Sequence, residues 1–242
     1  MTLPGRTDGI HGFGLRPSAT IWPVDDFPTS REIAAGSDTA ARDYTDEFAD
    51  ELDGKPFDRE LLTRFAAATA GRGTVADVGC GPGHVAGFLA ARGVDMYGID
   101  ISTEMVAIAH GRHPAIPFLT GNMLALGLRR GALAGITAFY SLIHLPRGLV
   151  GTALAELRRV LRPDGRLLLA VHGGEGEVHR DSWYERPVKM AATLFSRDEL
   201  VRTITGAGFV IEQALTRPPY EFEYQSERIY VRSRVDAQSD SA

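Results

Sequence analysis

Val75-Ala76-Asp77-Val78-Gly79-Cys80-Gly81-Pro82-Gly83-His84 is the stretch whose reading decides the fold. Its first residues form a short apolar run of the kind that makes a buried strand. Glycines then occupy alternate positions at Gly79, Gly81 and Gly83, and Val85 to Ala91 continues as an apolar helix. A glycine turn between strand and helix lets backbone approach a ligand without Cβ collisions. The first turn of the helix adds free N–H groups for an anionic group. A second acid, Asp100, closes the next strand, Met96-Tyr97-Gly98-Ile99-Asp100. There a carboxylate can accept hydrogen bonds from both hydroxyls of a ribose. Strand, turn, helix, strand and acid together describe a pocket for an adenosine-bearing ligand at the carboxyl ends of a parallel sheet.

Working outward, strands and helices alternate, which is the pattern of a parallel sheet covered on both faces. Strands are expected near 74–78, 95–99, 117–119, 135–140 and 165–171, and helices near 83–92, 103–111, 124–128 and 148–161. Pro163-Asp164-Gly165 forms a tight turn into the fifth strand, and Ser196 to Glu199 is a capping box for a later helix. Phe209 to Leu215 and Arg228 to Val235 have no crossover helix between them and are therefore expected to pair antiparallel. The fold class is α/β: a doubly wound, seven-stranded, mostly parallel sheet with a C-terminal antiparallel hairpin. Upstream, Asp38 to Leu52 has a helical pattern, with Tyr44, Phe48 and Leu52 on one face, and Asp58 is read as the N-cap of a second helix. Residues 1–36 are taken as an N-terminal extension in which Phe13, Ile21, Trp22 and Phe27 could dock, and 37–242 as one domain with a helical cover and an insertion at 172–195.

The chain has 242 residues, enough to bury a full core in one domain, and a net charge of −5, which gives no basic footprint for nucleic acid. No apolar run approaches the roughly 20 residues of a membrane span. Pro4, Gly5 and Asp8 stand where a signal peptide needs an apolar stretch, and Cys80 is the only cysteine. A cytoplasmic protein without nucleic-acid or membrane partners is expected, with a homodimer as the candidate assembly. His110 and His113 lack an acidic neighbour, so no metal site is expected.

Two ligand classes fit the glycine turn. Gly81-Pro82-Gly83-His84-Val85-Ala86 satisfies the dinucleotide string G-x-G-x-x-G/A, which would suit a nicotinamide-dependent oxidoreductase. Against that reading, Asp77 sits inside the strand, where a carboxylate can catch an ammonium group, and Pro82 has no N–H to offer. Asp77, Gly79, Gly81 and Gly83 resemble motif I of the class I S-adenosylmethionine (SAM) methyltransferases, D-x-G-x-G-x-G. The resemblance extends over roughly residues 40–235. It implies the Rossmann-like methyltransferase fold, SAM as cofactor, and transfer of a methyl group to an oxygen or nitrogen of a small-molecule acceptor. It further implies that Asp77 and the turn Gly79, Cys80, Gly81 and Gly83 hold the methionine part, and that Asp100 binds the ribose. Ile101 and Met105 fall where the family packs apolar side chains on adenine, and Asn122 and Met123 where it takes the adenine amino group. Ala138 to Leu145 is similar to motif IV, which puts Tyr140 beside the sulfonium, and Leu157 to Gly165 is similar to the helix and turn before the fifth strand. Tyr44 and Phe48 are similar to the aromatics of the helix that covers the cofactor. A SAM-binding protein without catalysis is the remaining alternative.

Two histidines are candidates for a general base. His144 follows the motif IV strand and His172 ends the fifth strand, both on the cofactor side of the sheet. Trp183, Tyr184, Arg186 and Lys189 lie in the insertion, where they would line or cover an acceptor pocket. Arg217-Pro218-Pro219-Tyr220 is read as a turn.

Overall fold

The structure, a computed structural model, describes residues 27–236. The expected docking of Phe13, Ile21 and Trp22 lies outside the described residues, as does most of the extension assigned to 1–36. Helix α1 (Ser30–Phe48) begins six residues before that extension was expected to end. A capping box explains the difference: the Thr29 side chain accepts from Glu32 N, and the Glu32 carboxylate accepts from Thr29 N at 3.0 Å. The helical pattern expected to reach Leu52 stops at Phe48, and Leu52 is buried in a 3₁₀ turn, Glu51–Gly54. Helix α2 (Pro56–Thr69) carries proline at its first position, so Asp58 lies inside the helix and is not its N-cap.

Among the described residues nine strands follow, β1 (Val75–Val78), β2 (Met96–Asp100), β3 (Phe118–Thr120), β4 (Leu133–Phe139), β5 (Leu161–His172), β6 (Glu177–Trp183), β7 (Arg186–Thr193), β8 (Phe209–Arg217) and β9 (Arg228–Val235). Between them run α3 (His84–Ala90), α4 (Thr103–Arg112), α5 (Arg147–Val160) and α6 (Arg197–Gly206). Seven strands form one sheet in the order β3-β2-β1-β4-β5-β9-β8. The first five are parallel, and β9 runs antiparallel to both β5 and β8. No helix forms at 124–128. Asn122 and Ala125 instead make an isolated bridge around an Asx turn, in which the Asn122 side chain accepts from Leu124 N at 2.9 Å. The β4–β5 ladder steps from Leu133–Leu161 to Gly135–Arg166, so the Pro163-Asp164-Gly165 turn bulges out of the strand.

Side chains alternate across the sheet, as the pleat requires. Leu167, Leu169 and Val171 of β5 join the core under α5 and α6, whereas Leu168 and Ala170 join the core under α2 and α3. Burying each such Leu, Val or Ile side chain favours folding by roughly 1.5–3 kcal/mol. The sheet is thus covered on both faces, and its parallel strands present a ligand surface along the rim at their carboxyl ends. That rim contains the switch point between β1 and β4, where successive crossovers turn in opposite directions.

The hairpin β6–β7 forms a second, two-stranded sheet above this rim. Its two-residue turn puts Tyr184 at φ +50° and Glu185 at φ +59°, the left-handed pair of a type I′ turn, which larger side chains seldom adopt. Contacts with α1 hold it there. The Tyr184 hydroxyl donates to Glu47, Arg186 Nε to Asp43 at 2.7 Å, and Trp183 packs on Tyr44 with ring centroids 5.5 Å apart.

Candidate active site

The glycine turn is built against β2 and β4. Gly79 N and Cys80 N both donate to Ile99 O, at 2.7 and 3.0 Å, and Gly81 N donates to Asp100 Oδ2 at 2.8 Å. Gly79 has φ +75°, and a Cβ there would collide with Ser141, whose hydroxyl donates to Val78 O at 2.7 Å. The ends of β1 and β4 therefore approach more closely than any side chain at Gly79 would allow. Gly81, at φ +51°, would place a Cβ in van der Waals contact with the Tyr44 ring, 3.7 Å away.

A cleft of about 810 Å³ opens over this turn. Its walls include Gly79, Gly81, Asp100, Ile101, Met105, Asn122, Met123 and Tyr140, and Tyr44 of α1 and Trp183 of the hairpin roof it. Gly83 is not among its lining residues: a Cβ there would run into Phe118 and Ala109, so this glycine lets α3 pack on the α4 side of the core. The Cys80 thiol is buried and lies 3.7 Å from Gly81 O; burial pushes its pKa well up. It borders a smaller recess beyond the turn. Asp100 is 9% exposed, and its other oxygen accepts from Ser102 N at 2.9 Å. Burial raises its pKa, against the two backbone N–H groups that favour the ionised form.

The recess, about 300 Å³, is polar at its end. Asp77 accepts from Thr137 Oγ1 at 2.7 Å through one oxygen, while its Oδ2 is buried without a hydrogen-bond partner. Burial pushes the Asp77 carboxyl up to about 6. His84 contacts Glu51 Oε1 through Nε2 at 3.2 Å, and its Nδ1 is also buried without a partner. Two orphaned buried polar atoms facing one recess are costly unless a ligand satisfies them. The Glu51 carboxylate accepts from Nε2, so in the neutral ring Nδ1 is an acceptor like Asp77 Oδ2, and the ammonium of an α-amino acid end can donate to both.

Tyr140 and His144 mark the junction with a second cleft of about 980 Å³. Tyr140 sits at φ +52°, a strained position for a tyrosine, and its hydroxyl lies 3.2 Å from that of Tyr230. His144 ends the 3₁₀ turn Leu142–His144 after β4, and its Nδ1 lies 3.0 Å from Ala191 O. A carbonyl can only accept, so Nδ1 carries the proton and Nε2 presents a lone pair. Burial holds the imidazole pKa below its usual value, against the Ala191 hydrogen bond. His172 lies in the second cleft and not the first. Its Nδ1 meets Ser226 Oγ at 2.9 Å and its ring packs on Tyr140 at 5.1 Å. Burial first, then Arg228 and Lys55, push its pKa well down. Of the two histidines, only His144 borders both clefts, together with Tyr44, Tyr140 and Trp183.

A buried charge network at the base of the second cleft was not visible in the sequence. Lys55 Nζ lies 2.5 Å from Glu51 and 3.2 Å from Glu223. Arg217 bridges Glu223 at 2.6 Å and Asp58 at 3.0 Å, and Arg228 reaches Glu223 at 3.7 Å. Burial opposes ionisation of Glu51, but the hydrogen bond from His84 and the charge of Lys55 outweigh it and bring its pKa down to about 2. The Glu51–Lys55 pair has i, i+4 spacing, a weak signal in a stretch of mixed charge.

A family model described as "Methyltransferase domain" matches residues 75–165. A demethylmenaquinone methyltransferase of Beutenbergia cavernae is 35% identical over 96 residues, 40% of this chain and 39% of that protein. An O-methyltransferase of Aspergillus nomiae is 31% identical over 172 residues, 64% of this chain and 73% of that protein. The chain spans about half or less of the length of several other curated relatives it matches. Among solved structures, a SAM-dependent methyltransferase of Methanosarcina mazei superposes with a TM-score of 0.61 at 19% identity, over 67% of this chain and 92% of that one. A geranyl diphosphate methyltransferase in complex with GPP and sinefungin gives 0.59 at 16% identity, over 73% and 76%. These likenesses reach the sheet and the glycine turn in the same fold.

Proposed function

The chain belongs to the class I SAM-dependent methyltransferases, and from that premise we propose that it transfers a methyl group from SAM to an oxygen or nitrogen of a small-molecule acceptor. The nicotinamide alternative is set aside by the family. The observation that carries the reading is the His144 ring at the meeting of the two clefts, its Nδ1 proton held by Ala191 O and its Nε2 available.

In this reading the first cleft and its recess hold SAM. Asp77 Oδ2 and His84 Nδ1 satisfy the amino-acid end, Asp100 the ribose hydroxyls, and Ile101, Met105 and Met123 flank the adenine. Asn122 faces the same wall through a side-chain oxygen that already accepts from Leu124 N, leaving it one further lone pair. SAM supplies the methyl group as a carbon bonded to positively charged sulfur, which departs with the bonding electron pair. His144 Nε2 would take the proton of an acceptor hydroxyl as the new bond to carbon forms, or that of an ammonium before its nitrogen attacks, a role that typically contributes about 10²–10⁴-fold. Tyr44 and Trp183 keep water from the junction, and alignment there contributes several kcal/mol more. The relative in Aspergillus nomiae is an O-methyltransferase, whereas one in Rubrivivax gelatinosus, 31% identical over 130 residues, is a ubiquinone/menaquinone biosynthesis C-methyltransferase. A base at the junction favours an acceptor that must lose a proton. The net charge of −5 supports an acceptor other than nucleic acid.

Calorimetry with S-adenosylhomocysteine and with NAD, followed by transfer of labelled methyl from SAM to a panel of alcohols, phenols and amines, tests the proposal. S-adenosylhomocysteine is expected to bind, NAD not, and label is expected in an oxygen- or nitrogen-linked product. Binding without transfer to any acceptor would mean a SAM-binding protein that does not catalyse.

A further inference from the structure

The second cleft has two properties that narrow its ligand. The first is its rings. Across the roof, Phe48 packs on Tyr44 at 4.6 Å and Tyr44 on Trp183 at 5.5 Å; along the floor, Tyr140 packs on His172 at 5.1 Å and His172 on Tyr224 at 5.5 Å. Phe222, at the same cleft, is 44% exposed. Rigid rings packed against one another cannot rotate to fit a flexible chain. They offer faces and edges to another flat ring, in the offset and edge-to-face arrangements that aromatic groups prefer. The second property is charge. Each of the buried charges at the base is already paired: Lys55 with Glu51 and Glu223, and Arg217 with Glu223 and Asp58. Glu47 at the rim accepts from the Tyr184 hydroxyl. A charged ligand would have to break one of these buried pairs, leaving its partner uncompensated. An uncharged one would leave them intact.

We infer that this cleft is the acceptor site and that its ligand is an uncharged, planar aromatic compound bearing the hydroxyl that is methylated. The inference rests on the methyltransferase reading for the fate of that hydroxyl, but not for the binding itself. The ligand ring lies between the two runs of rings, and its hydroxyl reaches the junction at His144. The O–H bond breaks, its proton passing to His144 Nε2; the oxygen bonds to the methyl carbon, and the carbon–sulfur electron pair stays on sulfur.

Calorimetry of the full chain with three probes tests this, with and without S-adenosylhomocysteine. 2-Naphthol matches the proposed ligand, decahydro-2-naphthol removes planarity, and 6-hydroxy-2-naphthoate adds a negative charge. 2-Naphthol is expected to bind at least tenfold more tightly than either of the others. Phe222→Ala and Phe222→Leu should each weaken 2-naphthol about fivefold or more and leave S-adenosylhomocysteine affinity within twofold, since Phe222 lines only the second cleft. Phe222 is exposed, so neither variant threatens the fold. Equal binding of the saturated alcohol, tighter binding of the carboxylate, no binding of 2-naphthol, or no effect of Phe222→Ala would each overturn the inference. Failure of S-adenosylhomocysteine to bind would instead strike the methyltransferase reading, and the 2-naphthol titration alone would still decide the cleft.

Discussion

At His144 the surroundings fix both the tautomer and the charge of an imidazole. The carbonyl of Ala191 holds the proton on Nδ1, and burial keeps the ring from taking a second one. A histidine with a lowered pKa stays neutral to a pH below its ordinary 6.5. If it is the base, kcat is flat through neutral pH and declines only as the pH drops below 6.5 through the lowered pKa. His144→Ala should cut kcat about 10²-fold or more, remove that acidic limb, and leave S-adenosylhomocysteine affinity nearly unchanged. The stability of the fold runs in the same direction. His144 and His172 cost nothing above the unfolded pKa and destabilise progressively as pH falls through their lower folded values. Asp100 makes a second prediction at this scale. Its carboxylate organises the turn through Gly81 N as well as facing the cleft, so Asp100→Ala should weaken S-adenosylhomocysteine by roughly 1.5–3 kcal/mol, measured by calorimetry. The placement of Asp77, Asp100, Tyr140 and His144 at the clefts and recess along the carboxyl rim was legible because each lies within a few residues of a strand end. Gly83 shows the limit of that reading: a Cβ there would meet Phe118 and Ala109, so it faces the core, whereas Cys80 borders the recess beside Asp77.

Among the elements, α1 and the β6–β7 hairpin make one cover. Asp38 of α1 accepts from Ser102 Oγ at 2.5 Å and from Glu104 N at 3.1 Å, so α1 also caps the start of α4, beside Asp100. The hairpin is fixed to α1 by Tyr184, Arg186 and Trp183. Amide exchange should therefore slow together across 30–48 and 177–193 when S-adenosylhomocysteine is added, with the sheet strands changing little. Slowing in α1 alone would mean that the hairpin is not part of the cover. The helical character of α1 and its aromatic face were plain in the sequence, but its start was not, because the capping box at Thr29 lies in a stretch rich in small and polar residues. The absent helix at 124–128 has a different cause. Gly127 lies at φ +28°, outside the right-handed helical region, and Leu126 N donates to Glu156 Oε1 of α5 at 2.7 Å, so the segment is turned toward α5 and not wound on itself.

For the molecule as a whole, the parallel order of strands followed from alternation and crossover length, both of which are local. The charge network did not, since it joins Asp58 of α2 to Tyr230 of β9 across 172 residues, through hydrogen bonds of 3.1 Å. Arg217 is its hub, and Arg217→Met would leave the buried Asp58 without its ion pair and Glu223 with only Lys55 and Arg228. A loss of roughly 3–5 kcal/mol in urea unfolding is expected, and Asp58→Asn in the same background should recover part of it. The four side chains common to both clefts, Tyr44, Tyr140, His144 and Trp183, carry a consequence of another kind. A ligand in either cleft meets the same four side chains that a ligand in the other meets. The two affinities are then linked by a single coupling free energy, so the acceptor must tighten the cofactor by the same factor as the cofactor tightens the acceptor.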